Sequence, residues 1–128
     1  FIAGGIGITP LLSMLRHVVH EKLPYAIHLF YSNRFAKDVA YFDELNELTA
    51  MNENLQFTPT LTKETSTAHW PGEHGYIDVA MLEKHSATEG HPLYYVAGPP
   101  EMVSCVKDML EAAEVSPDDI ITKKFTGY

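Results

Sequence analysis

The sequence predicts an α/β domain: a doubly wound, five-stranded parallel sheet in the strand order 3-2-1-4-5, with helices on both faces. Apolar stretches of strand length alternate along the chain with segments of helical period, as parallel strands joined by crossover helices require. Two of the strands end in glycine and proline just before a helix, at residues 4–10 and 98–100. The 128 residues, 45% of them hydrophobic, suit one globular domain with a core of its own.

The apolar pattern divides the chain into five strands and four helices. We expect the strands at Ile2–Ala3, Tyr25–Tyr31, Leu55–Leu61, Leu93–Ala97 and Ile120–Phe125. We expect the helices at Pro10–His20, at Val39–Met51, at Asp78–Ser86 and from Pro100 to Leu110.

Each element of the first half has its own signal. The segment Pro10–His20 carries a broad apolar face suited to packing on a sheet, and Pro24 ends it. The segment Tyr25–Tyr31 is an aromatic and aliphatic run with the length of a buried strand. In Val39–Met51 the apolar residues recur at helical spacing with acidic residues between them. Because Pro59 lacks an amide hydrogen, we expect the third strand to be an edge strand or bulged.

The second half begins with a polar loop at residues 62–75, followed by a short helix that Asp78 should cap. The segment Leu93–Ala97 has the clearest pattern of a buried strand. Apolar residues after Pro100 repeat with a period of about 3.6 residues, which predicts a helix. A turn at residues 116–119 leads into the last strand.

Composition excludes several classes of function. A formal net charge of −8 is unsuited to binding nucleic acid or an anionic membrane. The single cysteine, Cys105, permits no disulfide framework and is typical of a reducing compartment; we interpret it as a buried packing residue. No apolar run approaches the roughly 20 residues of a transmembrane helix. We therefore expect a soluble, cytoplasmic protein without a transmembrane segment.

The first ten residues have the pattern of an anion-binding turn. Gly4, Gly5 and Gly7 allow a sharp turn and close approach of a ligand to the backbone. Thr9 is expected to cap the following helix, and Pro10 to occupy its first position. The positive end of the helix would then face a phosphate.

The turn differs from two common nucleotide-binding motifs. It lacks the Gly-Lys-Ser/Thr of the phosphate loop of NTPases, and Pro10 stands where the usual dinucleotide fingerprint has its third glycine. The second strand ends in Ser32, Asn33 and Arg34 rather than in an acid that could bind ribose. Taken alone, the turn is also compatible with a tight strand-to-helix connection that binds nothing.

A second glycine-proline turn makes a ligand site the better interpretation. In the predicted strand order, the strands ending at Gly4 and at Gly98 are neighbours at the switch point where doubly wound sheets bind ligands. Together with two further segments, these turns resemble the NAD(P)-binding domain of the ferredoxin-NADP reductase family. The four segments are residues 4–10, residues 31–34, residues 95–102 and residues 125–128.

The resemblance implies half of a flavin-dependent oxidoreductase. The residues that would hold the pyrophosphate are Gly4, Gly5, Ile6, Gly7, Thr9 and Pro10, and those that would line the nicotinamide side are Gly98, Pro99, Pro100, Glu101 and Met102. In the family a preceding barrel domain binds FAD or FMN, which takes hydride from the nicotinamide and passes electrons to a ferredoxin-like or other redox partner. We expect that barrel upstream of residue 1 in the parent chain, residues 1–128 to be the NAD(P)-binding domain alone, and this chain to be inactive without the flavin domain.

The identity of the nucleotide depends on the end of the second strand. Arg34, assisted by Ser32, could grip a 2′-phosphate, with Asn33 as a further cofactor-binding residue. We expect no carboxylate beside Arg34 to repel that phosphate, so NADPH is favoured over NADH. The alternative is a solvated loop arginine. By resemblance, Tyr128 or Phe125 would stack at the flavin and nicotinamide; the alternative makes Phe125 a core residue and Tyr128 a frayed end.

Several alternatives stay open. The family commonly has cysteine where this chain has Ala97, which puts a thiol role at the nicotinamide in doubt. We expect no metal site, although His17, His20 and Glu21 share one helix face. The acidic stretch 43–53 is either a solvated face or a docking surface for a basic partner. The functional alternatives are the reductase component of an oxygenase, a flavohaemoglobin-like protein, and a non-catalytic nucleotide-sensing domain.

Overall fold

The computed structural model describes residues 1–64, 69–85 and 92–126. The strands are β1 Ile2–Gly4, β2 Ile27–Asn33, β3 Leu55–Leu61, β4 Glu73–His74, β5 Tyr94–Gly98 and β6 Ile120–Lys124. The helices are α1 Ile8–His20, α2 Phe42–Ala50, α3 Val79–His85 and α4 Pro100–Ala112. Short 3-10 turns lie at Gly5–Gly7, Ala36–Asp38 and Pro117–Asp119.

The strands form one parallel sheet in the order β4-β3-β2-β1-β5-β6. The five predicted strands are present in the predicted order, which confirms the fold class. The sheet has six strands rather than five because Glu73 and His74, inside the predicted loop, pair with Thr60 and Leu61 at the end of β3. Strand β3 is therefore not the edge strand expected from Pro59, although it pairs with β2 along its whole length and with β4 only at Thr60 and Leu61, after the proline.

Successive residues of β1 point to opposite faces of the sheet, and each face is covered by two helices. Ala3 packs with one core cluster, which α1 and α2 cover through Leu11, Leu15 and Leu45. Ile2 packs with the other, which α3 and α4 cover through Met81, Val103, Val106 and Leu110. The sheet is therefore doubly wound, and the carboxyl ends of all its strands lie along one edge.

Two helices begin at residues other than the predicted ones. Helix α1 begins at Ile8, two residues early. Helix α2 begins at Phe42, because Tyr41 has a left-handed φ of 62° that a helix cannot contain. The cap predicted for α3 is confirmed, since Oδ1 of Asp78 accepts a hydrogen bond of 2.8 Å from the amide of Met81; Ser86 lies outside the described residues. Within the described ranges, no helix has the length and hydrophobicity needed to cross a membrane.

Candidate functional site

The glycine turn connects the central strand directly to α1. Strand β1 ends at Gly4, and Gly5 has a φ of 52° with no atom within 4 Å of the place where a side chain would begin. The side chain of Ile6 is 48% exposed. The space beside Gly5 and Ile6 is therefore open at the carboxyl edge of the sheet, whereas Gly4 and Gly7 are buried.

The start of α1 differs from the sequence prediction in a way that suits an anion. Gly7, not Thr9, is the capping residue, so no side chain caps the helix, and Pro10 is the third helical residue rather than the first. The predicted cap was wrong because Gly7 already has helical backbone angles, which moves the boundary two residues earlier. Pro10 still costs nothing there, since the first four amides of a helix have no partner within it. No acidic residue lies in this first turn, so its positive end is not offset.

The second glycine-proline turn begins α4. Strand β5 ends at Gly98, Pro99 is the capping position and Pro100 is the first helical residue, as the sequence predicted. The carbonyl of Pro99 accepts a 3.0 Å hydrogen bond from the amide of Val103. Glu101 is exposed in the first turn, and Met102 is half-buried.

The two turns are in contact. A β-carbon placed on Gly7 would lie 2.2 Å from the carbonyl oxygen of Ala97, so the start of α1 rests on the β5 backbone. The sulfur of Met102 lies 3.0 Å from the β-carbon position of Gly4 and 2.9 Å from that of Gly98. One methionine therefore covers the ends of both neighbouring strands. Ala97, at the position where the resembling family commonly has cysteine, is buried with 2% exposure.

The end of β2 lies beside the glycine turn, because Ser32 is the register partner of Gly4. Asn33 is buried, with 8% exposure, and its carbonyl accepts a 2.9 Å hydrogen bond from the amide of Thr62. Arg34 is exposed, and its carbonyl accepts hydrogen bonds of 3.1 Å from the amides of Lys63 and Glu64. The loops after β2 and β3 are thus joined at this edge.

Sequence reasoning missed Glu64. Its Oε1 accepts a hydrogen bond of 3.4 Å from the amide of Ala36, in the loop that follows Arg34. The two residues are 28 positions apart, and only the pairing of β2 with β3 brings them together. The expectation that no carboxylate lies near Arg34 is therefore wrong.

Of the two aromatic residues proposed for the flavin side, Phe125 lies within the described residues. Phe125 follows β6, its amide donates a 2.9 Å hydrogen bond to the carbonyl of Gly98, and its ring packs against the α1-side core. Tyr128 lies outside the described residues. The structure thus places Phe125 next to the second turn while half-burying it.

The loop before α3 folds back on itself and on the sheet. Nε1 of Trp70 donates to the carbonyl of Glu73, and the Trp70 ring lies 5.7 Å from that of Phe42. Nδ1 of His74 donates a 3.0 Å hydrogen bond to the carbonyl of Glu64. Tyr76 is exposed. These contacts hold the loop against the β3 edge, with Glu64 at its start.

A second polar group lies on the α3 face of the sheet. Nε2 of His28 bonds Oγ1 of Thr58 at 2.7 Å, and burial, followed by the nearby His85, lowers the pKa of His28 to about 4. Glu73 accepts from Nζ of Lys84 at 2.7 Å and from Nε2 of His85 at 2.8 Å, and these bonds lower its pKa. This group connects four elements: His28 lies on β2, Thr58 on β3, Glu73 on β4, and Lys84 and His85 on α3.

Two further predictions concern the burial of Cys105 and the histidines of α1. Cys105 is exposed on α4 rather than buried, because the face of α4 that packs on the sheet is formed by Met102, Val103, Val106 and Leu110. His17 and His20 are exposed on α1, and the described ranges contain no cluster of three metal-ligating side chains.

Comparison with known proteins decides the family. The family model described as "Oxidoreductase NAD-binding domain" matches residues 1–108. The chain belongs to this family. Residues of both glycine-proline turns and of the β2 end fall inside the matched range, so the predicted family relationship is confirmed.

The relatives of this NAD-binding domain are larger electron-transfer proteins. The chain is 32% identical over 133 residues to the reductase component of propane 2-monooxygenase from Rhodococcus jostii, covering 99% of this chain and 35% of the relative. It is 28% identical over 125 residues to the electron transfer component of anthranilate 1,2-dioxygenase from Acinetobacter baylyi, covering 98% and 36%. The crystal structure of the Amycolatopsis cytochrome P450 reductase GcoB superposes with a TM-score of 0.82 at 25% identity, covering 98% of this chain and 37% of that one. The chain thus spans little more than a third of the length of each.

Proposed function

We propose that this NAD-binding domain holds NAD(P)H and presents its nicotinamide to a flavin, FAD or FMN, bound by another domain of the same polypeptide. The flavin would pass electrons to a ferredoxin-like protein or to another redox partner, such as an oxygenase. Family membership supports the nucleotide. The names of the relatives, a reductase component and an electron transfer component, support the direction of electron flow.

The observation that carries the proposal is the contact between the two turns. Met102 covers both Gly4 and Gly98, and Gly7 rests on Ala97, so the two turns form adjoining parts of one edge. Adjacent strand ends at a switch in strand order are where open α/β sheets bind nucleotides. The start of α1 fits the pyrophosphate, because no side chain caps it and its positive end would attract an anion without displacing one.

Roles for the remaining residues follow from their positions. Gly4 to Pro10 would hold the pyrophosphate, and Gly98 to Met102 would line the nicotinamide pocket. Ser32, Asn33 and Arg34 would face the adenosine end, with Asn33 shaping the loop through its buried side chain and its bond to Thr62. Phe125 and Tyr128 would cover the nicotinamide or flavin ring.

The bound nicotinamide would supply a hydride, and the protein's contribution is position. Two rings must be held in contact with water excluded, and rigid strand ends hold a ring better than mobile loops do. Apolar groups at this edge, including the side chains of Ile6 and Met102, would exclude water from the face of the ring. The single cysteine is consistent with a cytoplasmic setting for such chemistry.

Calorimetry with NADH and NADPH tests the nucleotide site. We expect the full chain to bind at least one of them, and Gly7→Ala to abolish or strongly weaken binding. The chain should not reduce ferricyanide with either nucleotide unless a flavin domain is supplied. Failure to bind either nucleotide, or ferricyanide reduction without added flavin, would overturn the proposal.

A further inference from the structure

The carboxylate of Glu64 is held in place beside the loop that would face the adenosine ribose. Its main-chain amide donates to the carbonyl of Arg34, and its main-chain carbonyl accepts from Nδ1 of His74. Its side chain accepts from the amide of Ala36. Three hydrogen bonds to two other segments thus hold the Glu64 backbone beside this loop, and the longest of them, at 3.4 Å, brings the carboxylate to the amide of Ala36.

This position is on the same edge as the glycine turn. Ser32 is level with Gly4 across the sheet, and Ala36 lies four residues beyond Ser32. A dinucleotide whose pyrophosphate lies over the glycine turn extends its adenosine half across the end of the neighbouring strand. The neighbouring strand on the side away from β5 is β2, so the Arg34–Ala36 loop and Glu64 lie where the adenosine ribose would lie.

Charge decides what such a site accepts. A carboxylate accepts hydrogen bonds from the 2′- and 3′-hydroxyls of a ribose, whereas it repels a 2′-phosphate that carries nearly two negative charges. Arg34 attracts a phosphate, and Glu64, whose amide donates to the carbonyl of Arg34, opposes that attraction with its own negative charge.

We infer that Glu64 is a specificity-determining residue that makes this domain prefer NADH to NADPH. The inference rests on the proposed nucleotide site and reverses the preference that the sequence around Arg34 indicates. Removal of the carboxylate ends its repulsion of a 2′-phosphate, which Arg34 attracts. The isosteric substitution Glu64→Gln tests this, because its amide oxygen can still accept from the amide of Ala36.

The experiment measures the dissociation constants of NADH and NADPH for the full chain and its variants. For like charges a few ångströms apart at a protein surface, we expect the wild-type chain to bind NADH roughly tenfold more tightly than NADPH. Glu64→Gln should narrow this ratio by roughly tenfold, mainly through tighter NADPH binding. The matched control is Glu53→Gln, an exposed acid in the loop between α2 and β3 at the opposite edge, which should leave the ratio unchanged.

Salt provides a test that needs no variant. Because screening weakens repulsion between exposed charges, the wild-type ratio should shrink as the salt concentration rises from low to about 0.5 M. Equal affinities in the wild type, a preference for NADPH, or an unchanged ratio in a folded Glu64→Gln variant would overturn the inference while leaving the nucleotide site intact. Absence of binding by either nucleotide would instead overturn the proposed function.

Discussion

Gly7 and Ala97 touch through their backbones, since a β-carbon on Gly7 would lie 2.2 Å from the Ala97 carbonyl oxygen and 2.6 Å from the amide nitrogen of Gly98. This is much closer than any van der Waals contact. The clash would involve main-chain atoms of the central sheet, which cannot move aside as a flexible side chain can. The start of α1 is thereby fixed against the strand that would line the nicotinamide pocket.

The first prediction concerns this contact. Gly7→Ala should lower the free energy of unfolding by about 2 kcal/mol, because α1 must move away from β5 to admit one methyl group. The same displacement moves the amides of the glycine turn, so nucleotide affinity should fall at least roughly tenfold. Urea denaturation and calorimetry measure the two effects.

Gly5→Ala is the matched comparison. It has open space around the new methyl group but requires a left-handed backbone, which costs roughly 1 kcal/mol for alanine. Gly5→Asn should recover part of that loss, since asparagine tolerates this conformation better. If Gly7→Ala were no more harmful than Gly5→Ala, the close packing of Gly7 would not be what the helix start depends on.

Local patterns were sufficient to predict the strand order and the two turns. Each of these features is encoded by a few neighbouring residues: the apolar run of β2, and the glycine-proline turns after Ala3 and Ala97. The structure contains all three where the sequence predicts them. Strand β4 could not be predicted this way. Glu73 and His74 form two residues of strand with no alternation to detect, and they are strand only because β3 offers them partners.

Long-range contacts account for what the sequence did not predict at the site. Glu64 reaches Ala36 only after β2 and β3 have paired, so no spacing along the chain indicates it. The start of α2 could not be predicted either, since the residues around Tyr41 do not indicate that its backbone is left-handed. The exposed position of Cys105 follows from which face of α4 meets the sheet, which composition alone does not specify.

The second prediction concerns Met102. Met102→Ala should remove the contact that covers Gly4 and Gly98 and weaken nucleotide binding roughly fivefold by loosening the pocket wall. Met109→Ala is the control, because Met109 is also half-buried on α4 and packs against the same core cluster. Both variants should lose about 1 to 2 kcal/mol of stability, and only the first should lose affinity. If Met102→Ala and Met109→Ala lost affinity equally, Met102 would have only a packing role. Met102→Leu should retain most of the affinity that Met102→Ala loses.

The third prediction concerns the cap of α3. Asp78→Ala removes the acceptor of the Met81 amide and should lower the free energy of unfolding by about 1 kcal/mol. Asp78→Ser should retain most of that stability, since a hydroxyl can accept the same bond. Asp108→Ala, on the exposed face of α4, controls for the loss of a negative charge. An equal loss from both alanine variants would show that charge, not capping, is responsible, and nucleotide affinity should be unchanged throughout.

The last prediction is a pH dependence of stability that originates at His28. The pKa of His28 in the folded chain is about 4, against an ordinary 6.5, chiefly because the ring is buried, with His85 adding to the effect. As pH falls from about 6.5 to about 4, the unfolded chain therefore binds a proton on His28 that the folded chain does not, and stability decreases. The loss should reach about 2 kcal/mol by pH 4, since the ring is only partly shielded from water.

His28→Gln, which can still bond Thr58, should flatten this slope in urea denaturation at several pH values, while His17→Gln, on the exposed face of α1, should leave it unchanged. The slope that remains in His28→Gln comes from the other titrating groups, including Glu73. The pKa of Glu73 is lowered in the folded chain, so the stability that its ionised carboxylate contributes is lost only as the pH falls through that lowered pKa. Parallel pH profiles for the wild type and His28→Gln would mean that the His28 ring takes up its proton in the folded chain as readily as in the unfolded one.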